Sequence, residues 1–315
     1  MSSKIVTVGS CMIDFTCFSP RLPKSGETII GNRYEIKYGG KGANQCIAAS
    51  KLGAATAIIA SVRLGSDIYG QEYLKIFKEK NIDAYVQIQS NHHSGIAHIT
   101  VAKNGENSIV IVLGSNALMT VNHVDSAANV IKNAAVLLCQ FEIPLEITLH
   151  ALKIFKGHGL SIVNGSPATK DVHPDLWKLC DIFCVNETEV SSNWTEVITG
   201  VQLQGSSSIQ QAVVKLLDKG CNTVIITLGE QGAVYASQED RTVKKVGTTR
   251  VQPVDTTGAG DAFLGAFAYF KAYHPTLSMG ECVRRACVVA TESVLKFGTH
   301  ASFPDRSSLS PDLFA

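Results

Sequence analysis

The residues best suited to chemistry lie in Asp255-Thr256-Thr257-Gly258-Ala259-Gly260-Asp261, which runs into AFLGAFAYF. Small residues let a backbone approach a ligand closely. The run after Asp261 has a helical pattern, so Gly258–Asp261 would sit at a helix N-terminus. Free N–H groups and the positive dipole end attract an anion such as a phosphate there. Asp261 on the same turn is a carboxylate able to accept a hydroxyl proton. An anion cradle beside a base is what phosphoryl transfer needs, because positioning and electrostatics supply most of that catalysis. The bland alternative is a glycine-rich turn whose Asp caps a helix.

Four further segments could join it. Gly39-Gly40-Lys41-Gly42-Ala43-Asn44-Gln45 opens an Ala-rich helix and offers N–H groups, Lys41 and the amides of Asn44 and Gln45 to a polyhydroxylated ligand. It has neither the G-x-x-x-x-G-K-[ST] nor the G-x-G-x-x-G spacing; a tight turn with a capped helix is the alternative. Asn186-Glu187-Thr188-Glu189 follows the strand DIFCV and could organise Mg²⁺ and its waters, or simply cap a turn. Thr227-Leu228-Gly229-Glu230-Gln231-Gly232 could hold a nucleotide through backbone groups, or join two strands. Asp14 is a lone carboxylate just past the first strand.

These segments need a frame. Short apolar runs at 5–8, 57–62, 135–139, 161–164, 182–185 and 223–228 read as strands. Helical patterns at 42–52, 69–80, 144–155 and 209–219 fall between them. Nearly continuous apolar strands separated by helices indicate a parallel sheet covered on both faces, an αβα sandwich of the α/β class. Ligands of such folds bind outside the carboxyl ends of the strands, where all five segments fall. Two stretches break the rhythm. Residues 15–38 hold Pro20, Pro23 and Gly26 and then alternate in ETIIGNRYEIKY; residues 95–113 alternate around Asn104-Gly105, a strong hairpin signal. The expectation is a small antiparallel sheet, the lid, over a core of residues 1–14, 39–94 and 114–315. Within it Ile99 and Val101 share one face and Ile96 takes the other; an edge extension of the main sheet is the alternative.

The bulk numbers exclude several classes. The 315 residues are 45% hydrophobic and 17% charged, which suits a folded enzyme rather than a disordered chain or a coiled coil. A net charge of +1 leaves no broad footprint for nucleic acid or an anionic membrane, so neither is an expected partner. No apolar stretch approaches the roughly 20 residues that span a bilayer, and Met1-Ser2-Ser3-Lys4 lacks the pattern of a secretory leader. The nine cysteines, an odd number set in apolar runs and without a C-x-x-C pair, read as reduced thiols. The expected location is cytoplasmic, a nuclear pool included.

GGKGANQ at 39–45 and DTTGAGD at 255–261 together resemble the two signatures of the ribokinase-like family of carbohydrate kinases. VGSCMID, NETE and TLGEQG fall in that family's order, and the likeness runs from about Ile5 to Pro304. GGKGANQ and the tail Gly298-Thr299-His300-Ala301-Ser302 resemble the members that phosphorylate ribose more than those acting on fructose or adenosine. The resemblance implies transfer of the ATP γ-phosphoryl to the 5-hydroxyl of ribose, and a homodimer paired through the lid. It assigns Asp261 as base and Gly258, Ala259 and Gly260 as the anion hole. Sugar contacts map to Asp14, Gly40, Lys41, Asn44 and Glu142. Nucleotide contacts map to Asn186, Thr227, Gly229, Gly232, Gly260 and Cys287. Mg²⁺ would be held through water by Glu189. A K⁺ cage maps to Asp255, Thr257, Ser293, Lys296, Gly298 and Ser302. Two positions depart from the family: Met12 stands where some members have Asn, and Cys287 where Asn or His is frequent. The intact base and glycines argue against a non-catalytic sensor, and the missing G-x-G-x-x-G against a nicotinamide-dependent dehydrogenase.

Overall fold

The computed structural model describes residues 3–62, 68–88, 92–169, 172–187 and 208–315. In chain order its strands are β1 (Ile5–Val8), β2 (Met12–Ser19), β3 (Arg33–Gly39), β4 (Thr56–Val62), β5 (Ile82–Ile88), β6 (Gly95–Ala102), β7 (Asn107–Val112), β8 (Val136–Cys139), β9 (Leu160–Asn164), β10 (Ile182–Asn186), β11 (Thr223–Thr227), β12 (Ala233–Ser237) and β13 (Lys244–Val246). Nine form one sheet in the order β13-β12-β11-β10-β9-β8-β1-β4-β5. From β11 to β5 every pairing is parallel; β12 and β13 add on antiparallel at one edge. The six strands and four helices expected from the apolar pattern are present, each within one residue at either end.

The strands alternate sides in a way that makes two cores. Val6, Val8, Leu137 and Cys139 join a cluster with the Leu145–Phe155 and Ser208–Asp218 helices. Ile5, Val136 and Leu138 point the other way, against the Ala259–Tyr273 and Met279–Ser293 helices. Both faces of β8 are therefore dry, which is why VLLC shows no polar alternation. The Ala259–Tyr273 helix is buried from Asp261 to Phe270. Truncating one of its core aromatics, such as Phe267→Ala, would cost about 3–5 kcal/mol.

Its depth depends on one close approach. A methyl built on Gly265 would stand 2.6 Å from Ala48 Cβ and 2.6 Å from the Gln45 carbonyl oxygen. Glycine thus lets the Lys41–Lys51 and Ala259–Tyr273 helices touch backbone to backbone, which brings Asn44 and Gln45 beside Asp261.

The two irregular stretches form the separate small sheet, in the order β3-β2-β6-β7. It differs from expectation in three respects. β2 pairs with β6 in parallel, so the sheet is mixed rather than antiparallel. Strand structure begins at Arg33, and residues 27–32 are irregular. β2 starts at Met12, so the expected core boundary at residue 14 falls inside a strand and Asp14 belongs to this sheet. The start of β2 and the end of β3 are pinned to the core. Asn116 donates to the Cys11 carbonyl (2.8 Å) and accepts from the Cys11 amide (3.0 Å), while the Tyr73 hydroxyl donates to the carbonyls of Met12 and Gly39. Both ends of the sheet are thereby tied to the core beside β1. Ile96 and Phe15 pack down against the core cluster that holds Tyr73 and Phe77.

Candidate active site

Several of the site residues lie at or just beyond the carboxyl ends of main-sheet strands, whereas Asp14 lies within β2. Ser10 follows β1, Gln140 and Glu142 follow β8, Asn186 and Thr227 close β10 and β11. Glu189 lies outside the described residues.

Asp261 is 7% exposed and sits in the first turn of its helix. Its Oδ2 accepts from Asn44 Nδ2 at 2.8 Å and its Oδ1 from Gln45 Nε2 at 2.9 Å. Gln45 is fully buried, so its amide serves Asp261 rather than a ligand, contrary to the reading of that motif as a row of ligand-facing groups. Gly258, with φ 77°, precedes the helix in the left-handed region that glycine tolerates. The first helical bond runs from Ala262 N–H to the Gly258 carbonyl (2.8 Å), so the amides before it stand outside the ladder. Of the three residues expected in the anion hole, Ala259 turns its N–H onto the Thr256 carbonyl (3.2 Å), while Gly260 is exposed and faces open space.

The GGKGANQ turn is built around a carboxylate from elsewhere. Gly40 occupies the helix N-cap with φ 89° and no side chain to cap it. Glu142 supplies the cap: its Oε2 accepts from the Lys41 amide (2.9 Å) and the Ser10 hydroxyl (2.6 Å). A methyl on Gly40 would meet the Met12 amide at 2.7 Å. Asp14 reaches the same region, since a methyl on Gly39 would stand 2.3 Å from its Oδ2. Burial, reinforced by Glu142 and Asp261 and opposed by Lys37, pushes its carboxyl up to about 7. Glu142 and Asp261 are therefore near enough to Asp14 for their charges to act on it.

Two cavities lie at the turn that carries Asp261. One of about 220 Å³ is lined by Lys41, Asp261, Asn164 and Ser166 and by Thr256 through Gly260 apart from Thr257. The other, of about 470 Å³, holds Gly229, Gly232 and Cys287. Asn186, Thr227, Thr256, Ala259 and Gly260 line both, so all the assigned nucleotide residues share one continuous channel that ends at the carboxylate. Burial pushes the Cys287 thiol up to about 12, which leaves it a neutral apolar wall. Thr248, Val251, Pro253, Phe263, Ala290 and Thr291 also line this cavity and were missed from sequence. They are ordinary residues on a loop and two helices, with no spacing to mark them. The 229–231 turn joins β11 to antiparallel β12, so the strand-to-strand alternative for TLGEQG describes its geometry, while its glycines also line the channel.

The assigned cation residues form a neighbouring group. Asp255 accepts from the Thr257 hydroxyl (2.6 Å), the Thr257 amide (2.9 Å) and the Gly298 amide (2.9 Å). Burial alone would push its carboxyl up; the Thr257 hydroxyl and the two amides hold it below the ordinary value. The Val254 and Asp255 amides bond to the Val294 carbonyl, which fastens this loop to the 293–302 segment.

The sequence profile of the pfkB family carbohydrate kinases matches residues 2–306. The chain is 40% identical to mouse ribokinase over 315 residues, which is 99% of this chain and 95% of that one. It is 34% identical to deoxyribokinase of Salmonella typhi over 302 residues, 95% of each chain. Among solved structures, Arabidopsis thaliana ribokinase complexed with ribose and ATP superposes with a TM-score of 0.84 at 31% identity, covering 98% of this chain and 97% of that one. Ribokinase of Giardia lamblia superposes with a TM-score of 0.87 at 28% identity, covering 98% and 97%. With the family profile spanning nearly the whole length and the two signatures converging on Asp261, the chain belongs to the pfkB family of carbohydrate kinases.

Proposed function

We propose that the chain phosphorylates D-ribose at O5 with ATP, giving ribose 5-phosphate and ADP. The observation that carries this reading is the placement of Asp261, at a helix N-terminus that lines the nucleotide channel and near enough to Asp14 for its charge to act on that carboxyl. Likeness to the mouse and Arabidopsis ribokinases supports the choice of sugar. Asp261 takes the proton of the 5-hydroxyl, O5 attacks the γ-phosphorus, and the bond to ADP breaks. The amides of Gly258 and Gly260 stabilise the charge on the transferring group. Asp14, Gly40, Lys41, Asn44 and Glu142 hold the sugar.

Two ions belong to this reading. Asn186 and Glu187 line the nucleotide channel and suit Mg²⁺ held through water, with Glu189 as the further ligand. The K⁺ donors would be Asp255, Thr257 and Ser302 with the carbonyls of Ser293, Lys296 and Gly298. All are oxygens, and the bonded contact of Asp255 with Thr257 and Gly298 supports their grouping. Bound there, K⁺ would brace the loop that carries the anion-hole amides. The protein would work in the cytoplasm as a homodimer joined through the small sheet.

Met12 favours a second sugar, 2-deoxyribose. It lies two residues before Asp14 on β2, and so on the same face of the strand. Its thioether sits 3.5 Å from Asn116 Nδ2 and donates no hydrogen bond. An apolar group there costs little for a sugar that lacks a hydroxyl, and the likeness to a deoxyribokinase points the same way. A coupled ADP-release assay with ribose, 2-deoxyribose, fructose and adenosine separates the readings. Turnover of fructose or adenosine alone would overturn both.

A further inference from the structure

The Asp261 carboxylate is held by two amides, and each amide is itself held by a third side chain. Gln140 Nε2 donates to Gln45 Oε1 at 2.7 Å, and Gln45 donates to Asp261. On the other side the His300 Nε2 atom lies 2.8 Å from Asn44 Oδ1, and Asn44 donates to Asp261. The two ends of a side-chain amide have nearly the same shape, so its neighbours decide which end points where. An ionised carboxylate only accepts, so Asn44 must turn Nδ2 to Asp261 and Oδ1 to the imidazole. His300 must then donate from Nε2.

We propose that His300 is a positioning residue for phosphoryl transfer, fixing through its Nε2–H the orientation of the Asn44 amide that holds Asp261. Several features equip it for this. Lys51, two turns along the helix from Asn44, donates to the carbonyls of His300 and Phe303 and so pins the segment that carries the ring. Asn44 Oδ1 can only accept, so the geometry requires a hydrogen on His300 Nε2. Without it, the Asn44 amide is free to rotate and present its oxygen to the carboxylate, where like partial charges repel.

The kinetic consequence rests on Asp261 being the base; the tautomer does not. His300→Leu removes the donor and should lower kcat about tenfold, roughly 1.4 kcal/mol of barrier, with KM for ATP within about twofold. His300→Gln keeps an amide donor and should recover kcat to within about threefold of the wild type. A Leu variant with wild-type kcat, or a Gln variant as impaired as Leu, would overturn the proposal. Nitrogen-15 NMR of histidine-labelled wild-type protein, assigned by the signal lost in His300→Gln, reads the ring directly and needs no folded Leu variant. A ring protonated at Nε2 is expected; a ring protonated at Nδ1 alone would overturn the proposal. Should the base be another group, Asp261→Asn would turn over normally while the tautomer stayed as expected.

Discussion

Asn44 and Asp261 are 217 positions apart in the chain, yet Nδ2 of one stands 2.8 Å from Oδ2 of the other. The bond joins the two signature turns, one opening each of two helices that touch at Gly265. The proposed base and the two signature turns are therefore parts of one contact, and what disturbs the contact should disturb the proposed chemistry.

Asp261→Asn keeps the shape of the side chain and removes its capacity to accept a proton. Turnover should fall by about 10²–10⁴-fold, the range for loss of a general base, with sugar and nucleotide binding retained. Equilibrium binding of ATP together with steady-state kcat checks this. Turnover within about threefold of wild type would remove Asp261 from the role.

Gly265→Ala acts at a distance from the pocket. The added methyl would lie 2.6 Å from both Ala48 Cβ and the Gln45 carbonyl, so the helices must part. Overpacking of this kind costs about 1–3 kcal/mol and would stretch the bonds from Asn44 and Gln45 to Asp261. A lower melting temperature with a several-fold loss of kcat is expected. A variant matching wild type in both would show that the helices have slack.

Asp14 makes sugar binding depend on pH. Burial beside Glu142 and Asp261 puts its folded pKa near 7, above the ordinary aspartate value. If the ionised form binds the sugar hydroxyls, kcat/KM for ribose should fall as pH drops through about 7. Asp14→Asn should be weaker throughout and lack that limb. The stability sign is the reverse: a raised folded pKa contributes stability that is full below about 4 and lost as pH rises through 7. Thermal melts of the sugar-free protein should therefore show Asp14→Asn gaining on wild type at pH 8 and losing that gain at pH 5. Parallel melting curves at both values would contradict the shift.

The Asp255 loop provides a test by ion replacement. Its oxygens suit a large monovalent cation, so K⁺ should support several-fold higher activity than Na⁺ or Li⁺. Asp255→Ala should abolish the difference. Equal rates in the three salts would take the cation out of the mechanism.

How much of this was legible beforehand depended on whether a signal was local. The αβα frame was readable because strands such as Val136–Cys139 are dry on both faces and the helices between them keep a regular period. The turns at 39–45 and 255–261 were readable because glycine and charge cluster there. The parallel pairing of β2 with β6 was not, because it joins strands far apart in the chain and no local pattern in either marks its partner. Gln140 and His300 were hidden for the same reason. Each acts on an amide belonging to another segment, and nothing around Gln140 or His300 in sequence says so. Gln45 shows the limit from the other side: its motif pointed to a ligand, but the close helix contact at Gly265 turned it inward onto Asp261.

The small sheet supplies the last prediction. β7 is its edge strand, and all six of its residues are exposed. Ile109, Val110, Ile111 and Val112 are 50%, 64%, 42% and 43% exposed, and alternation puts them on both faces of the strand. Across the sheet, Tyr34 and Ile36 on β3 are exposed as well. A flat apolar edge of this kind invites pairing with another chain unless it is covered. A second copy meeting it across a two-fold axis would bury both edges. Val110→Lys should therefore shift the protein from dimer to monomer in sedimentation at micromolar concentration. The monomer should bind ribose more weakly, because Asp14 stands on the same sheet and loses its support. A wild-type protein that sediments as a fully active monomer would refute the dimer, and a dimeric Val110→Lys variant would move the interface away from β7.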